Sequence, residues 1–184
     1  MGLTLILGPM KSGKSLELIS HFTSLKYTNI SFGLFQSAKN ARDKNVWTRD
    51  GLSLEAKKIE SLAEILDENY EIVGIDEIHM FPAQEVWVLD KILKRGCRLI
   101  ISGLDTDYKG MMFDTVKKVF ELGPSEVRYR KAVCEICKNP NAVYTQLLKD
   151  GVPILEGLPS VLPEDGTFQY EAVCRSCFKR KSDS

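Results

Sequence analysis

Eight residues near the start of the chain have the spacing of a phosphate-binding loop. The pattern G-x-x-x-x-G-K-[ST] is matched by Gly8, Pro9, Met10, Lys11, Ser12, Gly13, Lys14 and Ser15. The glycines allow backbone N–H groups to curl around phosphate oxygens, and the start of the following helix adds positive partial charge. We expect Lys14 to reach the β- and γ-phosphates of ATP, and Ser15 to hold Mg²⁺. The Lys11 side chain is expected to be solvated.

Two carboxylates follow a short apolar run in the middle of the chain. Asp76 ends the predicted strand Ile72–Ile75, and this position favours a second Mg²⁺ ligand beside the loop. Glu77 follows it. In a motor ATPase a Glu at this point orients the attacking water, whereas in a kinase it acts as general base on a substrate hydroxyl, and the residues alone leave both uses open. Ile78 and His79 complete the predicted ATP and Mg²⁺ site.

Four of the five cysteines form two close pairs. Cys134 and Cys137, like Cys174 and Cys177, have C-x-x-C spacing. Four thiolates on two tight turns suit a tetrahedral, structural Zn²⁺ site without an open position for a reacting group. Two disulfides or an iron–sulfur cluster stay as alternatives. The pairs lie further apart than in simple zinc ribbons, which suggests a long loop inserted between the two halves of such a ribbon. The fifth, Cys97, is expected to be a small core residue.

Charge balance and hydropathy limit the classes of partner. Lys plus Arg (25) equals Asp plus Glu (25), and a chain of zero net charge is poorly suited to extended nucleic-acid binding. We recognise no signal peptide around the first apolar run, and no apolar run reaches the roughly 20 residues that span a bilayer. We therefore expect a cytoplasmic location and no membrane partner.

Strands alternate with helices over the first two thirds of the chain. The predicted strands are Thr4–Leu7, Ile30–Phe35, Ile72–Ile75 and Arg98–Leu104, and the predicted helices are Lys14–Lys26, Ser61–Asn69, Ala83–Lys94 and Thr115–Leu122. This alternation indicates an α/β fold of the P-loop NTPase (RecA-like) class, with a mainly parallel sheet flanked by helices. Trp87 is expected on the core face of its helix. Short strands and turns dominate from about residue 127. We predict a nucleotide-binding domain over residues 1–126 and a zinc-ribbon-like lobe over residues 127–184.

Further motifs occur in the order found in one enzyme family. They are the Pro-Met pair of the loop, Asp76-Glu77 followed by Phe81, Leu104-Asp105 followed by Tyr108 and Phe113, the two cysteine pairs, and Tyr170 four residues before Cys174. Together they cover nearly the whole chain. The sequence resembles the type II thymidine kinases, which are cytosolic and contain zinc.

The resemblance implies transfer of the γ-phosphate of ATP to the 5′-hydroxyl of thymidine or deoxyuridine, with Glu77 as the catalytic proton acceptor. Tyr108 and Phe113 would enclose the base, together with a lasso loop bounded by Val161 and Tyr170. The structural Zn²⁺ would anchor that loop. Family members associate through the α/β domain, so the resemblance also implies a homo-oligomer, either a dimer or a tetramer.

The sequence departs from the family pattern at three places. His79 and Met80 stand where the family carries Gln and Phe. Residues 40–42 read Asn-Ala-Arg in place of Asp-Thr-Arg, so that only Arg42 carries over. Residues 163–166 read Pro-Glu-Asp-Gly in place of a Gly-rich segment, which brings two carboxylates close to the lasso. These differences keep open a deoxynucleoside kinase of shifted specificity.

Two other classes of protein share part of the pattern. One is a P-loop ATPase that acts on nucleic acid through a zinc ribbon, and the balanced charge argues against it. The other is a zinc-ribbon interaction module without catalysis. The intact set of Lys14, Ser15, Asp76 and Glu77 argues against that module.

Overall fold

The described strands form three sheets, of six, three and two strands. A computed structural model describes residues 2–40, 45–47, 53–162 and 166–181, and side chains are not described at 45–47 or 53–54. The strands are β1 (Leu3–Leu7), β2 (Phe32–Ser37), β3 (Asn45–Trp47), β4 (Ser53–Glu55), β5 (Lys57–Ile59), β6 (Ile72–Asp76), β7 (Arg98–Gly103), β8 (Glu126–Tyr129), β9 (Tyr144–Lys149), β10 (Val152–Pro153) and β11 (Gln169–Val173).

The main sheet has six strands in the order β5-β2-β6-β7-β1-β8, and every neighbouring pair is parallel. The predicted parallel sheet is therefore confirmed. Because all six strands run the same way, their carboxyl ends meet at one edge, where ligands of such sheets bind. Strand β8 continues the sheet past residue 126, the predicted end of the first domain. The division into two domains stays a prediction.

Helices cover both faces of this sheet, as expected. They are α1 (Lys14–Thr23), α2 (Trp87–Lys94) and α3 (Asp114–Phe120). Successive residues of a strand point to opposite faces. Leu5 accordingly packs in a core cluster with residues of α2 and α3, whereas Ile6 packs with Leu18 and Phe22 of α1.

Several predicted helices are shorter than expected. Short 3₁₀ helices occur at Leu25–Tyr27, Leu62–Asp67, Ile78–Met80 and Ala83–Glu85. The capping box of Ser61 and Glu64 is present, but it starts a 3₁₀ helix instead of an α-helix. The expected position of Trp87 is wrong. Its side chain is 56% exposed, because α2 turns Val88 and Leu89 toward the core.

A smaller antiparallel sheet in the order β10-β9-β11 follows the main sheet. Its core is small and includes two of the paired cysteines: Ala132, Cys134, Ala142, Tyr144, Ala172, Val173, Cys174 and Phe178 are its buried members. Strands β3 and β4 form a separate antiparallel pair. Among the described helices, none is long and apolar enough to cross a bilayer.

Candidate active site

The predicted phosphate loop joins the carboxyl end of β1 to the start of α1. Gly8 has φ 147°, and a Cβ atom there would lie 2.2 Å from the carbonyl oxygen of Arg130. Gly13, just before α1, has φ 80°. Both positions therefore require glycine, one because of close backbone packing and a left-handed φ, the other because of its left-handed φ alone.

The two lysines of the loop point to different places. Lys14 is buried, and its Nζ donates to the carbonyl oxygen of Pro9 at 2.7 Å, across the inside of the loop. Lys11 is exposed, as expected, and its Nζ lies 2.5 and 2.7 Å from the two carboxylate oxygens of Glu135. The ion pair was not expected, because it forms where the smaller lobe packs against the loop, a long-range contact that the local sequence does not reveal.

Asp76 lies fully buried at the end of β6. It accepts a hydrogen bond from the hydroxyl group of Ser102, and the hydroxyl group of Ser15 is close enough to act on its pKa. Burial is the largest effect on its pKa, which lies above its usual value, and the charge of Glu77 acts in the same direction. The two predicted Mg²⁺ ligands, Ser15 and Asp76, are thus neighbours, and their oxygen atoms are of the type that Mg²⁺ prefers.

Glu77 turns the chain sharply at the carboxyl end of β6. Its backbone is left-handed, with φ 54°, which is uncommon outside glycine. Its side chain is only 14% exposed, and Oε2 lies 3.5 Å from Nδ1 of His79. The carboxylate therefore lies next to both Asp76 and the pocket that His79 lines.

His79 and Ile78, both predicted near ATP, have different surroundings. His79 accepts a hydrogen bond from the N–H of Leu104 at 3.2 Å, and its ring lies 4.8 Å from the ring of Phe113. Burial, aided by the charge of Lys14, lowers its pKa to about 3, so the ring is neutral at physiological pH. Ile78 is buried in the main core. Any contact of Ile78 with ATP or Mg²⁺ would therefore come from its backbone.

A cleft lies beside the loop. Its lining contains all four predicted substrate residues, Tyr108, Phe113, Val161 and Tyr170, and also Met10, His79, Met80, Leu104, Thr106, Asp107, Thr145, Ser160 and Leu162. Thr145 and Ser160 were missed, since a single hydroxyl residue in a strand or loop carries no motif. The mixed lining of aromatic and polar side chains suits one small aromatic molecule with polar groups.

The aromatic loop after β7 holds the segment that leads into the lasso. The Tyr108 hydroxyl donates to the carbonyl oxygen of Leu158 at 2.8 Å and accepts from its N–H at 3.0 Å. Ser160 donates to the carboxylate of Asp107 at 2.7 Å. These bonds close one wall of the cleft. Arg42, which carries over from the family pattern, and residues 163–165 of the acidic segment lie outside the described part of the chain.

The four paired cysteines meet at one point. The sulfur atoms of Cys134, Cys137, Cys174 and Cys177 all lie within 4.8 Å of one another, and none is in a disulfide. Burial opposes ionisation of Cys134, but backbone hydrogen bonds at the two turns outweigh it and lower its pKa to about 6. A clustered set of four thiols with a stabilised thiolate fits a tetrahedral Zn²⁺ ion.

Comparison with known proteins agrees with this geometry. The thymidine kinase family matches residues 1–178. A thymidine kinase of Thermococcus kodakarensis is 36% identical over 183 residues, which cover 94% of this chain and 91% of that protein. A thymidine kinase of Mycoplasma mobile is 30% identical over 177 residues, which cover 94% of this chain and 84% of that protein.

Proposed function

The chain belongs to the thymidine kinase family, and we propose that it transfers the γ-phosphate of ATP to the 5′-hydroxyl of thymidine or deoxyuridine. One observation carries the proposal: the cleft that contains the aromatic residues adjoins the phosphate loop, and Met10 belongs to both. A nucleoside in the cleft would direct its hydroxyl toward the bound triphosphate. Such alignment converts a reaction of two molecules into one within a single complex.

The loop supplies the contacts for the triphosphate. Its backbone N–H groups and the start of α1 favour an anion. Lys14 now bonds to Pro9 inside the loop, and its ammonium group would exchange this carbonyl oxygen for the β- and γ-phosphate oxygens. The Lys14 ammonium group would then stabilise the negative charge that develops on the transferred phosphoryl group.

Ser15 and Asp76 are the residues that would hold Mg²⁺. The ion, when bound, neutralises charge on the phosphates. Ser102 keeps the Asp76 carboxylate oriented through its hydroxyl group, and Lys14 adds positive charge nearby. The family relation implies ATP as phosphate donor, and the Mg²⁺ site is part of the proposal.

Glu77 is the proposed general base. It follows Asp76 directly, and its carboxylate lies 3.5 Å from the ring of His79, which lines the cleft. A base in this place takes the proton from the nucleoside hydroxyl as the bond to phosphorus forms. The neutral ring of His79 adds no positive charge that would weaken the base.

Tyr108, Phe113, Val161 and Tyr170 would enclose the base of the nucleoside. The four cysteines would hold Zn²⁺ as a structural ion, and β11 links Tyr170 to Cys174 within a few residues. A cytoplasmic location, a homo-oligomeric state and the absence of a nucleic-acid partner remain expectations of the same proposal.

The test of this function is phosphate transfer from γ-labelled ATP with Mg²⁺ to each of thymidine, deoxyuridine, deoxycytidine, deoxyadenosine and deoxyguanosine. We expect labelled monophosphate from thymidine and deoxyuridine only. Transfer to another nucleoside would still show a kinase. Its nucleoside specificity would then be shifted, and Met80 and the acidic lasso segment would be the residues to which we attribute the shift. Steady release of free phosphate without any labelled nucleotide would instead indicate an ATPase.

Tyr108→Phe should weaken nucleoside binding without affecting ATP. The change removes the hydroxyl group that both donates to and accepts from Leu158, while the ring stays. Leaving the two backbone groups of Leu158, just before the lasso, without this partner costs about 1–3 kcal/mol. We expect the KM for thymidine to rise about tenfold, with the KM for ATP unchanged. Equal increases in the KM for thymidine and the KM for ATP would show that Tyr108 supports both substrate sites and does not act through the lasso alone.

A further inference from the structure

The tip of the phosphate loop is attached to the smaller lobe at two adjacent residues. The N–H of Met10 donates to the hydroxyl oxygen of Thr145 on β9 at 3.0 Å. Lys11, the next residue, contacts both carboxylate oxygens of Glu135 through its Nζ. Glu135 lies between Cys134 and Cys137. The loop that would bind ATP is thus tied directly to the turn that carries two of the clustered cysteines.

Glu135 is itself held in place from the other side. Its Oε1 accepts from the N–H of Ala172 at 3.0 Å, and its own N–H donates to the carbonyl oxygen of Ala172 at 2.9 Å. Ala172 belongs to β11, two residues before Cys174. The carboxylate therefore connects three segments: the loop tip, the first cysteine turn and the strand that leads to the second.

The backbone conformation of Lys11 indicates that this attachment helps to hold the loop in its shape. Lys11 has φ 63°, a left-handed conformation that is unfavourable for a residue with a Cβ atom. Strained residues of this kind persist where the surrounding structure holds them. The hydrogen bond from Met10 to Thr145 holds the backbone just before Lys11, and the ion pair with Glu135 holds the Lys11 side chain. Lys14 occupies the inside of the loop, so Lys11 is not needed there.

We propose that Lys11 and Glu135 are positioning residues that hold the phosphate loop in its ATP-binding shape, and that they make ATP affinity depend on the smaller lobe. The inference rests on the proposed function, because it assigns a role within the same ATP site. Lys11 acts through the loop backbone and does not need to touch ATP. Removing the charge of either Lys11 or Glu135 should therefore lower the affinity for ATP by the same factor.

A double-mutant cycle tests this inference on the full chain with its zinc. ATP with Mg²⁺ is titrated calorimetrically into the wild type, Lys11→Gln, Glu135→Gln and the double variant, without nucleoside. The pair is only partly exposed, 26% and 32% for the two side chains. Each single variant should bind ATP about threefold more weakly, as expected for one ion pair of this exposure. The double variant should be no weaker than either single one, since both remove the same interaction.

Glu135→Gln taken alone separates positioning from direct contact. Its amide oxygen can still accept from the N–H of Ala172, but the charge that holds Lys11 is lost. If Lys11 touched a phosphate group, Lys11→Gln would weaken ATP binding whereas Glu135→Gln would leave it unchanged or make it tighter. That result would overturn the proposal.

Lys94→Gln is the matched control. It removes one positive charge and an ion pair of the same 2.5 Å length, to Asp90 on α2, remote from the loop. Its ATP affinity should equal that of the wild type. Equal ATP affinities for all variants would refute the positioning role while leaving the proposed kinase intact. A wild type that fails to bind ATP would refute both.

Discussion

Glu77→Gln should abolish phosphoryl transfer and leave ATP binding largely intact. General-base catalysis contributes about 10²- to 10⁴-fold, and we expect a loss of kcat within or above this range. The amide has nearly the same shape as the carboxylate, so the left-handed turn at this position and its contact with the His79 ring are kept. What disappears is the ability to take a proton from the nucleoside hydroxyl.

Single-turnover transfer from γ-labelled ATP measures the chemical step of this variant, and calorimetric titration measures its ATP affinity. Glu121→Gln is the control, since Glu121 is exposed at the end of α3 and pairs with Lys118 on the surface. The control should behave as the wild type. Turnover by Glu77→Gln at the wild-type rate would remove the carboxylate from the role of base.

Residues with local spacing could be placed from the sequence. Lys14 and Ser15 follow from one continuous motif, and Asp76 follows from the rule that parallel strands present their carboxyl ends at one edge. The structure brings Ser15 and Asp76 close together, although sixty residues separate them along the chain, roughly the length of two βαβ units. The parallel sheet makes this contact predictable, because it fixes where both strand ends lie.

Contacts between the two sheets could not be predicted in this way. Thr145 meets the backbone of Met10, and Glu135 meets Lys11, through side chains with no periodicity or motif of their own. Their role depends on how the smaller lobe packs on the loop, which is a tertiary property. The exposed Trp87 has a more local cause, since α2 begins at Trp87 and its buried face is formed by Val88, Leu89 and Ile92.

The smaller lobe should depend on its metal more strongly than on its own core. Its buried cluster is small, and two of the clustered cysteines, Cys134 and Cys174, belong to it. Structural Zn²⁺ contributes about 10–16 kcal/mol of folding free energy in small zinc domains, which matches or exceeds the roughly 5–15 kcal/mol that stabilises a typical whole domain. The main sheet has its own larger core and does not share this dependence.

Cys174→Ser should therefore yield a protein that lacks zinc, keeps its main sheet and does not phosphorylate thymidine. Cys174 directly follows β11, the strand that carries Tyr170. When the lobe loosens, Tyr170 leaves the cleft, and Thr145 and Glu135 no longer support the loop. Because both substrate sites lose contacts, we expect kcat/KM to fall by about a hundredfold or more, comparable with the loss of several kcal/mol of transition-state stabilisation.

Metal analysis, circular dichroism and kinetics together test this expectation. The wild type should carry one zinc per chain, and Cys174→Ser should carry much less, with most of the secondary structure retained because the six-stranded sheet is unaffected. Cys97→Ala is the control, since this cysteine is buried in the main core and lies outside the cluster. The Cys97→Ala protein should keep its zinc even if the substitution lowers its free energy of unfolding. A zinc-free Cys174→Ser protein with full activity would mean that hydrogen bonds between β9 and β11 hold the lobe without metal.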